Sequence, residues 1–268
     1  MKEAFERDGF VVLKGCVPIE LRHAAQRETL QAILGCAPGA PNTRDLAGCL
    51  RHACARYHQA DVQQAIHQVL QAKGLKRAML LQRAVHEFIV ACLGQDLEYN
   101  RDGAVAINIK ATRDNLYMKA MHQEMWSGAG LELRIWVPLM MPGGGMRFVP
   151  GSHLWGLIPN RKRKPLNAPK AKTIVPDVGE GDAVLFHSLT LHATEPNTTG
   201  KPRVAITMGV RNLYHPRTGH EHLQSWQPYH LSPMGKIQKL LGNPHLSPYR
   251  TLGAPTGHRT KAAPEMLE

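Results

Sequence analysis

The chain has 268 residues and a formal net charge of +12 at pH 7, a length that suits one all-β barrel or sandwich domain carrying extra helices. Its five cysteines, Cys16, Cys36, Cys49, Cys54 and Cys92, are odd in number and lack CxxC spacing, which excludes a disulfide framework and reads as reduced thiols of a soluble, cytoplasmic protein. A charged N-terminus without an apolar stretch behind it, and the lack of any apolar run long enough for a bilayer, lead to the expectation of a soluble protein.

Along the chain, Phe5 to Gly15 predicts a helix end feeding a first strand, a β-branched apolar run stopped by glycine. Apolar residues then recur at three- and four-residue intervals from Ile19 to Leu34 and from Asp61 to Leu93, predicting two amphipathic helices, with a loop over Gly35 to Asn42. After Gly94 the period changes. Short apolar or alternating runs at Val105 to Lys110, Leu116 to Met121, Leu131 to Met140, Met146 to Val149, Thr173 to Val175, Ala183 to Phe186 and Arg203 to Val210 predict strands. Gly143-Gly144-Gly145 predicts a hairpin turn. The pattern is mainly β with flanking α-helices: a sandwich or barrel core over about 100–212, helices from 19–93 packed on one outer face, all within a single domain 1–268. The tail, 213–268, is rich in Pro, Gly and His, with one weak helical run near Met234 to Leu241, and is expected to act as a lid or an oligomer contact.

Arg161, Lys162, Arg163, Lys164, Lys170 and Lys172 follow one another with no acid between them, and Pro165 and Pro169 keep the stretch out of a helix. This is a basic loop, either simply solvated or facing an anion. Base-reading proteins interleave aromatics with such charges, and none occurs here, so nucleic acid is not the expected partner. An anionic small molecule fits the charge, and peripheral contact with an anionic membrane surface fits it too.

His122-Gln123-Glu124 and His192 offer two imidazoles and one carboxylate. On a strand ending near Met121, His122 and Glu124 would share a face, and a distant strand would supply His192. Two His and one carboxylate on one face leave three octahedral positions for a bidentate organic acid and O2, the arrangement of a non-haem Fe(II) oxygenase. A structural zinc site would be closed, usually with cysteine, and no cysteine lies near. Arg203, eleven positions after His192, has the planar fork that binds a carboxylate bidentately. His187 and His153 are rival imidazoles and read as packed or turn-stabilising side chains. Arg134 and Arg211 could face a substrate from barrel strands, although outer-face arginines are commoner.

Four separated stretches then occur in order: Trp136 to Leu139, Gly143 to His153, Gly179 to His187, and His192 to Arg203. Together with the Phe5 to Gly15 opening they resemble the phytanoyl-CoA dioxygenase family, most strongly over Met121 to Arg211. The resemblance implies a double-stranded β-helix (jelly-roll) that uses Fe(II), 2-oxoglutarate and O2. It implies His122, Glu124 and His192 as iron ligands, Arg203 as partner of the distal carboxylate of 2-oxoglutarate, and Thr194 as its helper. Gln123 and Trp136 match positions lining the co-substrate pocket in some members. Glu124 departs from the family's usual Asp, and its extra methylene shifts the ligating oxygen. A retained carboxylate still argues against the halogenase variants of this superfamily.

The expected function is hydroxylation of an unactivated C–H bond of a small, lipid- or sugar-type substrate. An anionic substrate would meet Arg134, Arg211, Arg161 or Lys162. The rival readings are an inactive jelly roll that binds or senses a metabolite, and a basic nucleic-acid-binding protein.

Overall fold

The computed structural model describes residues 1–41, 44–108, 120–127, 132–162, 164–215 and 225–241. Helix α1 (Lys2–Asp8) ends at Gly9 and delivers the chain into strand β1 (Phe10–Leu13), as the sequence suggests. The helical half holds α2 (Ile19–Cys36), α3 (Leu46–Arg56), α4 (Gln59–Ala72), α5 (Leu75–Leu80) and α6 (Arg83–Leu93). The single helix expected over Asp61 to Leu93 is therefore three. Gly74, in the left-handed region at φ 66°, breaks it first, and a second break follows at Leu81 and Gln82. Helix α3 was not foreseen, because it buries only Cys49, Leu50 and Ala53 and has too few large apolar residues to show a period.

The strands are β2 (Leu97–Asn100), β3 (Val105–Asn108), β4 (Leu133–Met140), β5 (Met146–Phe148), β6 (Asn160–Arg161), β7 (Lys164–Pro165), β8 (Ala183–His187), β9 (His192–Thr194), β10 (Arg203–Asn212) and β11 (Trp226–His230), followed by helix α7 (Pro233–Leu240). The main antiparallel sheet runs β1-β8-β4-β10-β2-β11. Strand β10 is long enough to pair β3 with its first residues and β2 with its last. The smaller sheet pairs β5 with β9, widened by bridges from Phe148 to Ile174 and from His192 to His122. The two sheets make the double-stranded β-helix.

Alternation along the strands sorts the two cores. On β4 and β10, Leu133, Ile135, Val137, Leu139, Val204, Ile206, Met208 and Val210 point to the helices and join one apolar cluster with Ile33, Leu50, Ile66, Leu70 and Ile89. Trp136, Val184, Phe186 and Ala205 point the other way and meet Met146 and Phe148 of the smaller sheet. Helices and main sheet therefore share one core, and the barrel interior is a second, smaller one.

Four expectations need correction. Gly143 to Gly145 joins β4 to β5, which lie in different sheets, so it is a crossing turn and not a hairpin. Thr173 to Val175 contributes only the Ile174 bridge. The basic loop contains the two-residue hairpin β6–β7. Part of the tail, Trp226 to His230, is an edge strand of the main sheet, a position where Pro228 is tolerated. The helical run near Met234 is α7. Most of the expected strand Leu116 to Met121 lies outside the described residues, as do His220, His222, His245 and His258.

Candidate active site

His192 opens β9 and forms a backbone bridge with His122, exchanging both hydrogen bonds at 2.9 and 3.0 Å. Their rings lie 4.3 Å apart between centroids. Glu124 begins a short 3-10 turn, Glu124–Ser127, so it reaches the imidazoles from a turn and not from the strand that the sequence suggested. The turn is held in place because the Glu124 N–H donates to the Ser188 carbonyl at 2.9 Å.

The nitrogens are already assigned by their surroundings. His122 Nδ1 lies 2.9 Å from the Ala120 carbonyl, and His192 Nδ1 lies 2.8 Å from the Thr190 carbonyl. A carbonyl only accepts, so each Nδ1 carries the hydrogen and each Nε2 keeps its lone pair. Both Nε2 atoms face Glu124 Oε1, His192 at 3.3 Å and His122 at 3.8 Å. Ligand atoms of the three residues fall within 4.8 Å of one another, a set that one metal ion could share.

Electrostatics favour the unprotonated forms of Glu124 and His192. Burial alone would raise the Glu124 pKa, but the Arg134 guanidinium holds it well below the usual carboxylate range. Burial, reinforced by His122, pulls His192 down from its ordinary value. Phe186 and Phe148 pack on the His192 ring at 4.7 and 6.0 Å, fixing its plane.

The motifs around the triad are braces for it. Ser152 Oγ donates to the Val149 carbonyl at 2.6 Å and accepts the Leu191 N–H at 2.8 Å, tying the Pro150-Gly151-Ser152-His153 turn to the residue before His192. Thr190 Oγ1 donates to the Gly9 carbonyl, anchoring the same strand to the end of α1. Asp182 accepts the N–H groups of Gly179 and Gly15, locking β8 to the loop after β1. Asn197 Nδ2 donates to the carbonyls of Asn108 and Lys201 and closes the loop between His192 and Arg203.

Arg203, only 2 % exposed, opens β10 on the same face as Ala205. Its Nη1 donates to the Gly143 carbonyl at 3.3 Å and its Nη2 to the Glu195 carbonyl at 2.6 Å. The Glu195 carboxylate is turned to Arg147 instead. Among the described residues no carboxylate lies within ion-pair distance of Arg203, so this buried guanidinium has only neutral hydrogen-bond partners, with the Glu195 carboxylate acting on it from farther off. Burying a charge on those terms is costly and suits a site completed by an anion.

A family model described as Phytanoyl-CoA dioxygenase (PhyH) matches residues 5–205. The chain belongs to the phytanoyl-CoA dioxygenase family. With membership comes the family's chemistry: the chain is an Fe(II)- and 2-oxoglutarate-dependent oxygenase, and the His-Glu-His cluster fits that cofactor demand. Solved structures agree on the fold. The chain is similar to the apo form of ThoJ, a non-heme monooxygenase, at TM-score 0.55 and 19% identity over 86% of this chain and 83% of that one. It is similar to EctD from S. alaskensis with bound Fe, at TM-score 0.52 and 18% identity over 81% and 77% of the two chains. SnoN, a non-heme alpha ketoglutarate dependent epimerase from nogalamycin biosynthesis, follows at TM-score 0.50 and 17% identity over 82% and 84%. No curated protein matches the chain.

The remaining residues that the family resemblance or the residue pattern singled out divide by where their polar atoms go. Thr194 lies two residues after His192 on β9 and so on its face, and Trp136 lies in the barrel interior with Phe186 and Phe148. Gln123 is different. Its Nε2 donates to the carbonyls of Gly156 and Leu189 and its Oε1 accepts the Ile158 N–H, so its amide ties loops together and has nothing left for a co-substrate. Arg211, fully buried, pairs with Glu98 at 2.8 Å and lies under the Trp226 ring, which removes it from substrate contact. Arg134 Nη1 donates to Glu132 Oε1 at 2.9 Å while Nη2 lies 4.0 Å from Glu124 Oε2. Its guanidinium is thus turned to the Glu132 and Glu124 carboxylates. Arg161 and Lys162 are exposed at the β6–β7 turn, where Lys162 adopts φ 52°. His187 accepts the Leu189 N–H through Nδ1 and His153 reaches the Glu6 carbonyl, so both remain outside the triad. The Arg134 role and the Glu195 carbonyl were missed from sequence, because both depend on which strands become neighbours.

Proposed function

We propose that the enzyme hydroxylates an unactivated C–H bond of a small anionic substrate, with His122 Nε2, Glu124 Oε1 and His192 Nε2 holding Fe(II). Arg203, assisted by Thr194, binds the distal carboxylate of 2-oxoglutarate. The observation that carries the co-substrate assignment is the Arg203 guanidinium, buried with carbonyl partners only and keeping N–H donors in reserve. When bound, iron and 2-oxoglutarate supply the oxidising power: decarboxylation to succinate and CO2 accompanies transfer of one oxygen atom from O2 to the substrate.

The chain's own residues do the placing. The carbonyls of Ala120 and Thr190 hold both imidazoles in the tautomer that leaves Nε2 free. Arg134 draws Glu124 Oε2 away from the imidazoles, leaving Oε1 to complete the set. Trp136, Phe148 and Phe186 line the interior with apolar surface and exclude water. The exposed Arg161 and Lys162 supply the positive field at the nearby hairpin that favours an anionic substrate. A jelly roll kept only for binding would have no use for three convergent metal-type donors, which weighs against the inactive reading.

The test is a mass-spectrometric screen of anionic metabolites with the enzyme, Fe(II), 2-oxoglutarate and O2. A product heavier by one oxygen atom, formed with stoichiometric succinate and lost without 2-oxoglutarate, is the expected result. Succinate without any oxidised substrate across anionic candidates, alongside turnover of neutral ones, overturns the substrate class.

A further inference from the structure

Between Leu154 and Val175 the sequence carries six lysines and arginines and no acid. The same stretch holds five of the twelve large apolar side chains exposed among the described residues: Leu154 (70%), Leu157 (50%), Leu166 (41%), Ile174 (43%) and Val175 (48%). The other side of the stretch is fastened down. Trp155, Ile158 and Ala168 pack with Val149, Leu191, Met121 and Trp126, which are neighbours in sequence of the three metal-site residues or of their braces. The Ile158 N–H donates to Gln123 Oε1 at 2.9 Å, and its carbonyl accepts Trp126 Nε1 at 2.8 Å. At the far end, Ile174 exchanges two 2.8 Å backbone hydrogen bonds with Phe148, whose ring packs on His192.

We propose that this plate docks the enzyme on an anionic lipid bilayer, bringing the oxygenase site to a substrate drawn from that surface, an inference that rests on the function proposed above. The alternatives account for half of the observation each. A soluble anion would use the bases but leave five aliphatic side chains in water, and exposed apolar groups clustered in one segment mark a contact surface. A nucleic acid would call for aromatics between the bases, and none lies between Arg161 and Lys172. Lipid headgroups pair with the bases while the interface takes the aliphatics. No helix of the described residues is long and apolar enough to cross a membrane, so the contact is made from the surface.

The test is co-sedimentation of the full chain with phosphatidylcholine vesicles, with and without phosphatidylglycerol. Binding to the anionic vesicles only, weakened by salt, is expected. R161E/K162E should weaken it by roughly tenfold or more, and L154S/L157S should weaken it without changing its salt dependence. Should L154S/L157S melt below wild type, quenching of wild-type tryptophan fluorescence by brominated lipid chains replaces it, with quenching expected because Trp155 adjoins the plate. Absence of binding to anionic vesicles overturns the proposal. So does binding that ignores the leucine pair, or a wild type that brominated lipid does not quench, since either leaves only a basic patch. Vesicle binding needs neither Fe(II) nor 2-oxoglutarate, so its failure and that of the oxygenase reading are separately visible.

Discussion

Arg134 Nη2 approaches Glu124 Oε2 at 4.0 Å while Oε1 of the same carboxylate faces both imidazoles. The two oxygens thus have different neighbours, and in the iron site proposed above Oε1 is the one turned to the metal. Arg134→Met is expected to weaken Fe(II) or Co(II) binding roughly 10- to 100-fold, the usual scale for losing the group that orients a metal ligand. Arg134→Lys should recover part of it, keeping charge without the fork.

The same substitution has a pH signature. Glu124 is held well below its ordinary value, so protonation of its carboxyl takes nothing from metal affinity until pH falls towards that low folded value. Removing the neighbouring cation raises the Glu124 pKa and adds a carboxyl contribution to the acid limb that the two imidazoles already give the affinity profile. Calorimetric titrations across the acid range check it; superimposable limbs for wild type and Arg134→Met would contradict the assignment.

Gly144 sits at φ 69°, and a Cβ there would fall 2.8 Å from Arg203 Nη1. Gly144→Ala should therefore push the guanidinium off its carbonyl partners and weaken 2-oxoglutarate binding while leaving metal affinity near wild type. Arg203→Met should cost about 3 kcal/mol of 2-oxoglutarate binding, roughly 100-fold in Kd. Equilibrium titration of 2-oxoglutarate against the metal-loaded protein separates the two effects.

Lys76 is fully buried, donating to the Gly103 carbonyl and meeting His67 Nδ1. Burial, with Arg134 adding to it, pulls its pKa down to about 7, and burial likewise pulls His67 down to about 4. Between about pH 7 and the ordinary lysine value the unfolded chain binds a proton that the folded one does not, so this group makes stability rise with pH across that window. Lys76→Met should remove that rise and lift the melting midpoint at neutral pH. Thermal melts of both proteins over the window check it through their difference, because the half-buried thiols Cys16 and Cys54, both raised to about 11, contribute with the opposite sign.

How much of this was legible in sequence depends on how local the cause is. The convergence of His122, Glu124 and His192 could be read because metal chemistry demands those residue types. The strand set of β4, β8 and β10 showed through two-residue alternation. Glu124 on a turn was hidden, since an HxE spacing looks the same on a strand end and at a 3-10 start. The bonding of Gln123 and Arg211 was hidden for a shared reason: what a buried polar group bonds to is set by partners far away in sequence, 35 positions for Gln123 and Ile158 and 113 for Arg211 and Glu98. Strand β11 was lost because Pro228 and a polar neighbourhood mask an edge strand.

The measurement that bears most directly on the central claim is an anaerobic titration of 2-oxoglutarate into the Fe(II)-loaded protein, following the weak visible charge-transfer band of the chelate. Wild type is expected to develop the band at saturable 2-oxoglutarate, His192→Ala to lose it, and Arg203→Met to need far more co-substrate to reach it. No band in wild type, or an undiminished band in His192→Ala, would contradict the assignment of His122, Glu124 and His192 to iron.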